Sequence, residues 1–292
     1  MCADLYWPQP LTVVDENMQT YGLDETSFNR TRGWLPPIVK TVWCDEIVFF
    51  LAIDGSVWYN GQCSNVTSEL VAVFEPTQIE NLPPIKDVCC SMTTTLLLDY
   101  EGHVWICGQG KSRSVFVGGG QDYGINGTHD EVDCLQGLPL MQQVTAGAKY
   151  FALLDCDGTV WIFGILGGLH QFSKMERLRR IPKIKKILTG NYQCLLIDVH
   201  GSLWARRFNS SGQLGNGSRV NETDFITVHG PPMIVDGDCF GGGSVVIDDN
   251  GDLWGCGRAF TVMPYGLWVS AKETIFQRYE LPFKVQSVTC AQ

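Results

Sequence analysis

The side chains here that could do chemistry are five histidines, twelve cysteines and one dense run of lysine and arginine. His103, His129, His170, His200 and His229 fall in turn-rich stretches, and no two have the spacing of metal ligands. There is no Gly-x-Ser-x-Gly elbow, no phosphate-binding loop and no His-Glu-x-x-His. The twelve cysteines include no Cys-x-x-Cys and no His/Cys pattern suited to zinc. The sequence therefore implies no catalytic residue, no metal and no cofactor, and it points away from an enzyme.

The basic run is the sharpest compositional feature. Lys174, Arg177, Arg179, Arg180, Lys183, Lys185 and Lys186 make up one third of the 21 Lys and Arg of a chain with net charge -10. Such a cluster can steer an acidic partner or an anionic surface. Ile181, Ile184 and Ile187 interleave with it, so part of the segment must be buried; the plainer reading is a solvated sheet edge guarded by charge. The acidic balance argues against general, direct nucleic-acid binding. The longest apolar run, Ile47 to Ile53, is far too short to span a bilayer as a helix, so no transmembrane segment is expected. No signal-peptide pattern is visible, and a cytoplasmic or nuclear location is expected.

The elements that must carry these side chains are repeats. Gly-x-Val/Leu-Trp occurs five times, at Gly55–Trp58, Gly102–Trp105, Gly158–Trp161, Gly201–Trp204 and Gly251–Trp254. Each copy follows an apolar run that ends in acidic turn residues, which is a β-hairpin signature. A third element precedes each hairpin: a proline, then hydrophobic positions three apart, as in Ile85/Val88, Met141/Val144 and Ile184/Ile187. Val39/Val42 and Val285/Val288 fit the same rule, and the fifth copy, near Pro232 to Phe240, is degenerate.

A small sheet of three or four such strands cannot bury both faces alone. Stacking sheets around a ring solves this, with the tryptophans packed between neighbours. The expected class is all-β, a β-propeller of about six blades with seven as the alternative, forming one domain over 1–292. The repeats span about 39–84, 85–140, 141–183, 184–233 and 234–282, and a composite of 283–292 plus 1–38 closes the ring. Cys107 and Cys256 share a slot with Phe163, and Cys44, Cys90 and Cys290 share one with Ala146 and Thr189. Cysteine that alternates with such residues reads as a small buried, reduced hydrophobe.

Asn209-Ser-Ser-Gly212-Gln213-Leu214-Gly215-Asn-Gly217, after Trp204, resembles the hallmark loop of the regulator-of-chromosome-condensation repeats. The Pro-x-x-Val-x-x-Val start and the Gly-x-Val-Trp strand resemble that family's unit as well, and the likeness runs along nearly the whole chain. The family usually has seven blades. It includes the exchange factor for the Ran GTPase, chromatin-bound proteins, ubiquitin-ligase subunits, ciliary scaffolds and proteins secreted by intracellular pathogens. The resemblance implies a protein-binding surface made by loops on one face.

In the exchange factor the copies carry Gly-Asp-x-His before the inner apolar strand, and some of those acids contact the GTPase. Here only Asp45 matches; Met92, Ala148, Asn191 and Gly241 fill the slot elsewhere, and the histidine is absent. Asp45 also reads as a solvated turn carboxylate. The resemblance makes Lys111-Ser-Arg113-Ser-Val115-Phe116 the counterpart of the wedge-like loop that displaces nucleotide, with a divergent outer strand as the alternative. The partner-binding candidates are thus Asp45, Lys111, Arg113, Val115, Phe116, Arg177, Arg179, Arg180 and Lys183. The expected function is a protein-interaction propeller that binds or regulates a Ran-like small GTPase. The alternative is a structural scaffold without exchange activity, pathogen-encoded or not.

Overall fold

A computed structural model describes residues 11–14, 20–23, 28–30, 35–44, 47–63, 71–91, 94–108, 132–164, 173–258, 260–262, 267–269 and 273–288. A small N-terminal sheet comprises β1 (Leu11–Val14), β2 (Thr20–Leu23) and β3 (Phe28–Arg30). Five four-stranded sheets follow. The first is β4 (Ile38–Cys44), β5 (Ile47–Ala52), β6 (Val57–Cys63) and β7 (Val71–Gln78). The second is β8 (Ile85–Ser91), β9 (Thr94–Asp99), β10 (Val104–Gly108) and the short β11 (Asp133–Cys134). The third is β12 (Met141–Gly147), β13 (Tyr150–Asp155), β14 (Val160–Gly164) and β15 (Ser173–Arg177). The fourth is β16 (Ile184–Thr189), β17 (Gln193–Asp198), β18 (Leu203–Arg207) and β19 (Glu222–Val228). The fifth is β20 (Ile234–Phe240), β21 (Gly243–Asp248), β22 (Leu253–Gly257) and β25 (Gln277–Tyr279), with a hairpin of β23 (Phe260–Val262) and β24 (Leu267–Val269) before its last strand.

Each of the five four-stranded sheets is an antiparallel meander whose second strand is buried at every residue. That is why those strands read as unbroken apolar runs: both faces are covered by neighbouring sheets. Each of four core clusters joins residues of two consecutive sheets. One unites Leu96 and Leu98 with Phe151 and Phe163; another unites Leu195 and Ile197 with Val246 and Cys256. The first strands touch one another in sequence, β4 to β8 to β12 to β16 to β20, so they line the axis. Sheets stacked face to face around their first strands are the blades of a β-propeller.

Two details differ from the sequence reading. β4 starts at Ile38, which is 2% exposed, whereas Val39 is 51% exposed, because the first strand of each four-stranded sheet bulges at its second residue. The register of β4 then makes Trp43, not Cys44, the counterpart of Cys90. The fifth copy looks degenerate because Gly237 replaces the second buried apolar residue. A Cβ there would sit 2.5 Å from the Val245 carbonyl oxygen and 3.0 Å from Leu188, so a neighbouring side chain fills the space.

Consecutive sheets are joined by one repeated contact. The amides of Ile85, Met141, Ile184 and Ile234 donate to Gly55, Gly102, Gly158 and Gly201 of the preceding sheet, at 2.8 to 2.9 Å. Val285 makes the same bond to Gly251 at 2.9 Å, and it packs with Val288 on the core of the fifth sheet. Among the described residues β1 to β3 pair only with one another. Cys89, Cys107, Cys134, Cys156, Cys194, Cys239 and Cys256 are free thiols. Cys90 departs from the expectation of thiols throughout: it is disulfide-bonded, to a partner outside the described side chains. Among the described residues no helix is long and apolar enough to cross a membrane.

Candidate interaction surfaces

The meander gives the ring two unlike ends. At one, called the turn end, lie the turns between second and third strands and the connections from one sheet to the next. At the other, the loop end, lie the turns between first and second strands and the loops between third and fourth.

At the turn end the turns of sheets two to five are built on an aspartate six residues before the repeat tryptophan. Asp198 Oδ1 accepts the amides of His200 and Ser202, each at 2.9 Å, and Oδ2 accepts the Trp204 indole N–H at 3.1 Å. Asp99, Asp155 and Asp248 repeat this with Trp105, Trp161 and Trp254, each at 3.0 Å. Gly201 closes its turn at φ 80°, and a Cβ there would come within 3.1 Å of the Ile234 carbonyl oxygen. The first sheet has Ala52 in place of the aspartate. There Asp54 accepts from the Ser56 hydroxyl, and that hydroxyl accepts from Trp58 at 2.9 Å. The indoles of sheets two to five pack against the cores between sheets while remaining part-exposed.

Burial raises the pKa of Asp99 and of Asp198, but hydrogen bonds outweigh it. Trp105 and His103 hold the Asp99 carboxyl below its ordinary value, and Ser202, Trp204 and His200 do the same for Asp198. Sequence reading noted acidic turns but missed the constant aspartate; the interval Asp-x-x-Gly-x-Val/Leu-Trp carried the signal in four of the five copies.

The turn end also holds most of the basic run. Arg177 ends β15, and Arg179, Arg180 and Lys183 lie on the connection to β16, all exposed. Lys185 is exposed at the bulge of β16, whereas Lys186 turns to the next blade and pairs with Asp236. The equivalent position in β4 does likewise, Lys40 meeting Asp87 at 2.6 Å.

The loop end holds the strand ends that flank the remaining candidates. Cys44 and Ile47 pair there, as do Gly108 and Thr94. Asp45, Lys111, Arg113, Val115 and Phe116 lie outside the described residues. In the slot where the resemblance calls for histidine stand Tyr150 and Gln193, and both tie blades together. The Tyr150 hydroxyl donates to the carbonyls of Gly190, at 3.3 Å, and Gln193. Gln193 Nε2 donates to Phe240 and Gly243 of the following blade at 2.8 and 2.9 Å. Burial pushes the Tyr150 phenol well above its ordinary pKa.

Arg207 ends β18 with φ 91°, where the other third strands have Gly61, Gly108, Gly164 and Gly257. Its guanidinium lies 3.8 Å from the centre of the Tyr150 ring. Beside it, Tyr192 and Phe208 are exposed and their rings meet at 5.8 Å. The loop that follows is internally bonded and docks on the next sheet. Asn209 Oδ1 caps Leu214 at 3.0 Å, the Ser244 hydroxyl donates to the Gln213 carbonyl at 2.8 Å, and Gly217 bonds Thr274 at 2.7 Å. Among the described residues no three His, Cys, Asp or Glu side chains cluster as a metal site.

No family model matches the chain. It is 28% identical over 167 residues to the human probable E3 ubiquitin-protein ligase HERC3, a match that covers 54% of this chain and 16% of that much longer protein. Human WBSCR16 superposes with a TM-score of 0.68 at 16% identity, over 89% of this chain and 68% of that one. Prp20p of Saccharomyces cerevisiae, described with its binding properties to Gsp1p and histones, superposes with a TM-score of 0.66 at 15% identity. That match covers 93% of this chain and 75% of Prp20p; the same yeast protein, RCC1, has also been solved bound to Kap60. By its repeats and by its fold the chain is a β-propeller similar to those of WBSCR16 and Prp20p.

Proposed function

We propose that this propeller is a protein-interaction module that binds a small GTPase, Ran-like in kind, and acts on its nucleotide state. The observation that carries the reading is the fold shared with yeast Prp20p, whose structure is described with its binding to Gsp1p. In this reading Asp45 contacts the GTPase, Val115 and Phe116 form an apolar contact tip, and Lys111 and Arg113 flank it. The strands that bracket these segments all end at the loop end, which supports one shared surface. The test is capture of nucleotide-free small GTPases by the chain, followed by nucleotide release. Accelerated release that is lost in Val115→Ala/Phe116→Ala supports exchange; no binding to any GTPase overturns it.

A second reading is a scaffold without exchange activity. It is favoured by the histidine slot, where Tyr150 and Gln193 are engaged in bonds between blades rather than facing a partner. GTPase capture without any change in release rate, together with incorporation into a larger complex, supports it.

A further inference from the structure

The five exposed cations Arg177, Arg179, Arg180, Lys183 and Lys185 make no ion pair or hydrogen bond through their side chains among the described residues. Three other exposed or half-exposed lysines of the ring are engaged, Lys40 with Asp87, Lys186 with Asp236, and Lys284 with Asp252, while Lys149 stands alone among the described residues at the loop end. The same connection in the other blades carries few cations: residues 80–86, 136–142, 229–235 and 280–286 contain only Lys86 and Lys284, and Lys284 is paired with Asp252. Nothing in the repeat therefore demands this charge.

Arg180 is also in an unfavourable conformation. Its φ is 66°, at a position where the other connections have Asn81, Gly137 and Gly230, also at positive φ. Glycine or asparagine suits that conformation, and an arginine there is strained. A strained, unpaired cation kept in a glycine slot points to a role outside the fold.

The cations border exposed apolar side chains. The Val199 amide bonds the Lys183 carbonyl at 3.0 Å, and Val199 is 53% exposed. In the neighbouring blades Leu140 and Met233 occupy the position of Lys183, and they are 49% and 53% exposed. Apolar side chains thus stand in an arc near the axis, with the unpaired cations around one sector. An exposed apolar patch with a charged rim is the composition of a protein contact.

We propose that Arg179, Arg180, Lys183 and Lys185, with Val199, form a docking surface for an acidic protein segment bearing an apolar anchor. The surface lies at the turn end, across the ring from the loop end. An extended polyanion fits less well. A duplex or bilayer would reach beyond this sector to the exposed Glu101, Asp157 and Asp249 of the other turns, in a chain of net charge -10. A short segment meets the cations alone.

The test uses the full chain and fluorescent peptides rich in glutamate, with a central leucine or phenylalanine, alongside the same peptides with serine at the centre. A 20-base-pair duplex and phosphatidylcholine vesicles containing phosphatidylserine are the competing probes. The expected result is saturable binding of an anchored peptide, weaker with serine, and weakened at least about tenfold in Lys183→Glu/Lys185→Glu. Arg180→Gly separates binding from folding: it relieves the backbone, so its melting temperature holds or rises while peptide binding falls. Three outcomes overturn the proposal: no acidic peptide binding up to about 1 mM, equal binding by the variants, or tighter binding of the duplex or the vesicles. None of them depends on whether the chain binds a GTPase.

Discussion

Asp198 and Trp204, six residues apart on adjacent strands, are joined by an indole-to-carboxylate hydrogen bond of 3.1 Å at the edge of the fourth blade. The carboxylate also holds two turn amides, so one side chain fixes the hairpin and orients the ring that packs against the core between blades. Asp198→Ala leaves two amides and an indole N–H without their acceptor. It should cost about 2–4 kcal/mol, since hydrogen bonds to a charged group are the stronger kind. Chemical denaturation measures this. A loss below about 0.5 kcal/mol would show that water replaces the carboxylate.

The same aspartates predict an acid limit. Asp99 and Asp198 have folded pKa values below their ordinary ones. Their contribution is therefore complete above the unfolded value, about 3.9, and is lost as pH falls through the lowered folded values. Stability should stay level from neutral pH to about 5 and decline below about 4. In Asp99→Asn/Asp198→Asn that decline should be shallower, as read from melting temperature against pH.

Arg207 gives a test of strain. Arg207→Ala keeps a side chain at φ 91° and loses the packing on Tyr150, whereas Arg207→Gly loses the packing but relieves the backbone. Glycine should thus be better tolerated than alanine by about 1 kcal/mol, the reverse of their order in an ordinary strand. Equal melting temperatures for the two variants would mean that the backbone relaxes at no cost.

The parts of this fold that can be read from sequence are those fixed by short-range rules. Gly102-x-Val-Trp105 and its equivalents stand out because a tight turn needs glycine and the strand after it needs an aromatic. The buried runs Leu96–Leu98 and Leu195–Ile197 stand out because the middle of a strand covered on both faces is apolar throughout. Register is harder to read. Ile38 and Val39 are both apolar, and only the bulge decides which one is buried. Contacts between blades are harder still. Gln193, which bonds Phe240 and Gly243, looks like any surface glutamine until the neighbouring turn is beside it. The basic run was visible at once by composition, but only the structure separates Lys186, paired with Asp236, from unpaired Arg179, Arg180 and Lys183.

Closure of the ring leads to a further prediction. Val285 makes with Gly251 the same amide bond that opens the second to fifth of the four-stranded sheets, and Lys284 reaches Asp252 at 2.5 Å. The C-terminal segment is thus docked on the fifth blade as a first strand would be. We propose that the N-terminal part of the chain completes that last sheet, in line with the composite expected from sequence. Val285→Asp puts a charge against Val245, Ile247 and Leu253, and should lower stability by about 1–3 kcal/mol. Removal of residues 1–34, which leaves β4 and Leu35 in place, should lower it as well, and should make the 282–288 segment more sensitive to protease. If removing those residues changes neither melting temperature nor cleavage, the N-terminal part is not the partner of the C-terminal segment, and the ring is closed by the fifth blade against the first.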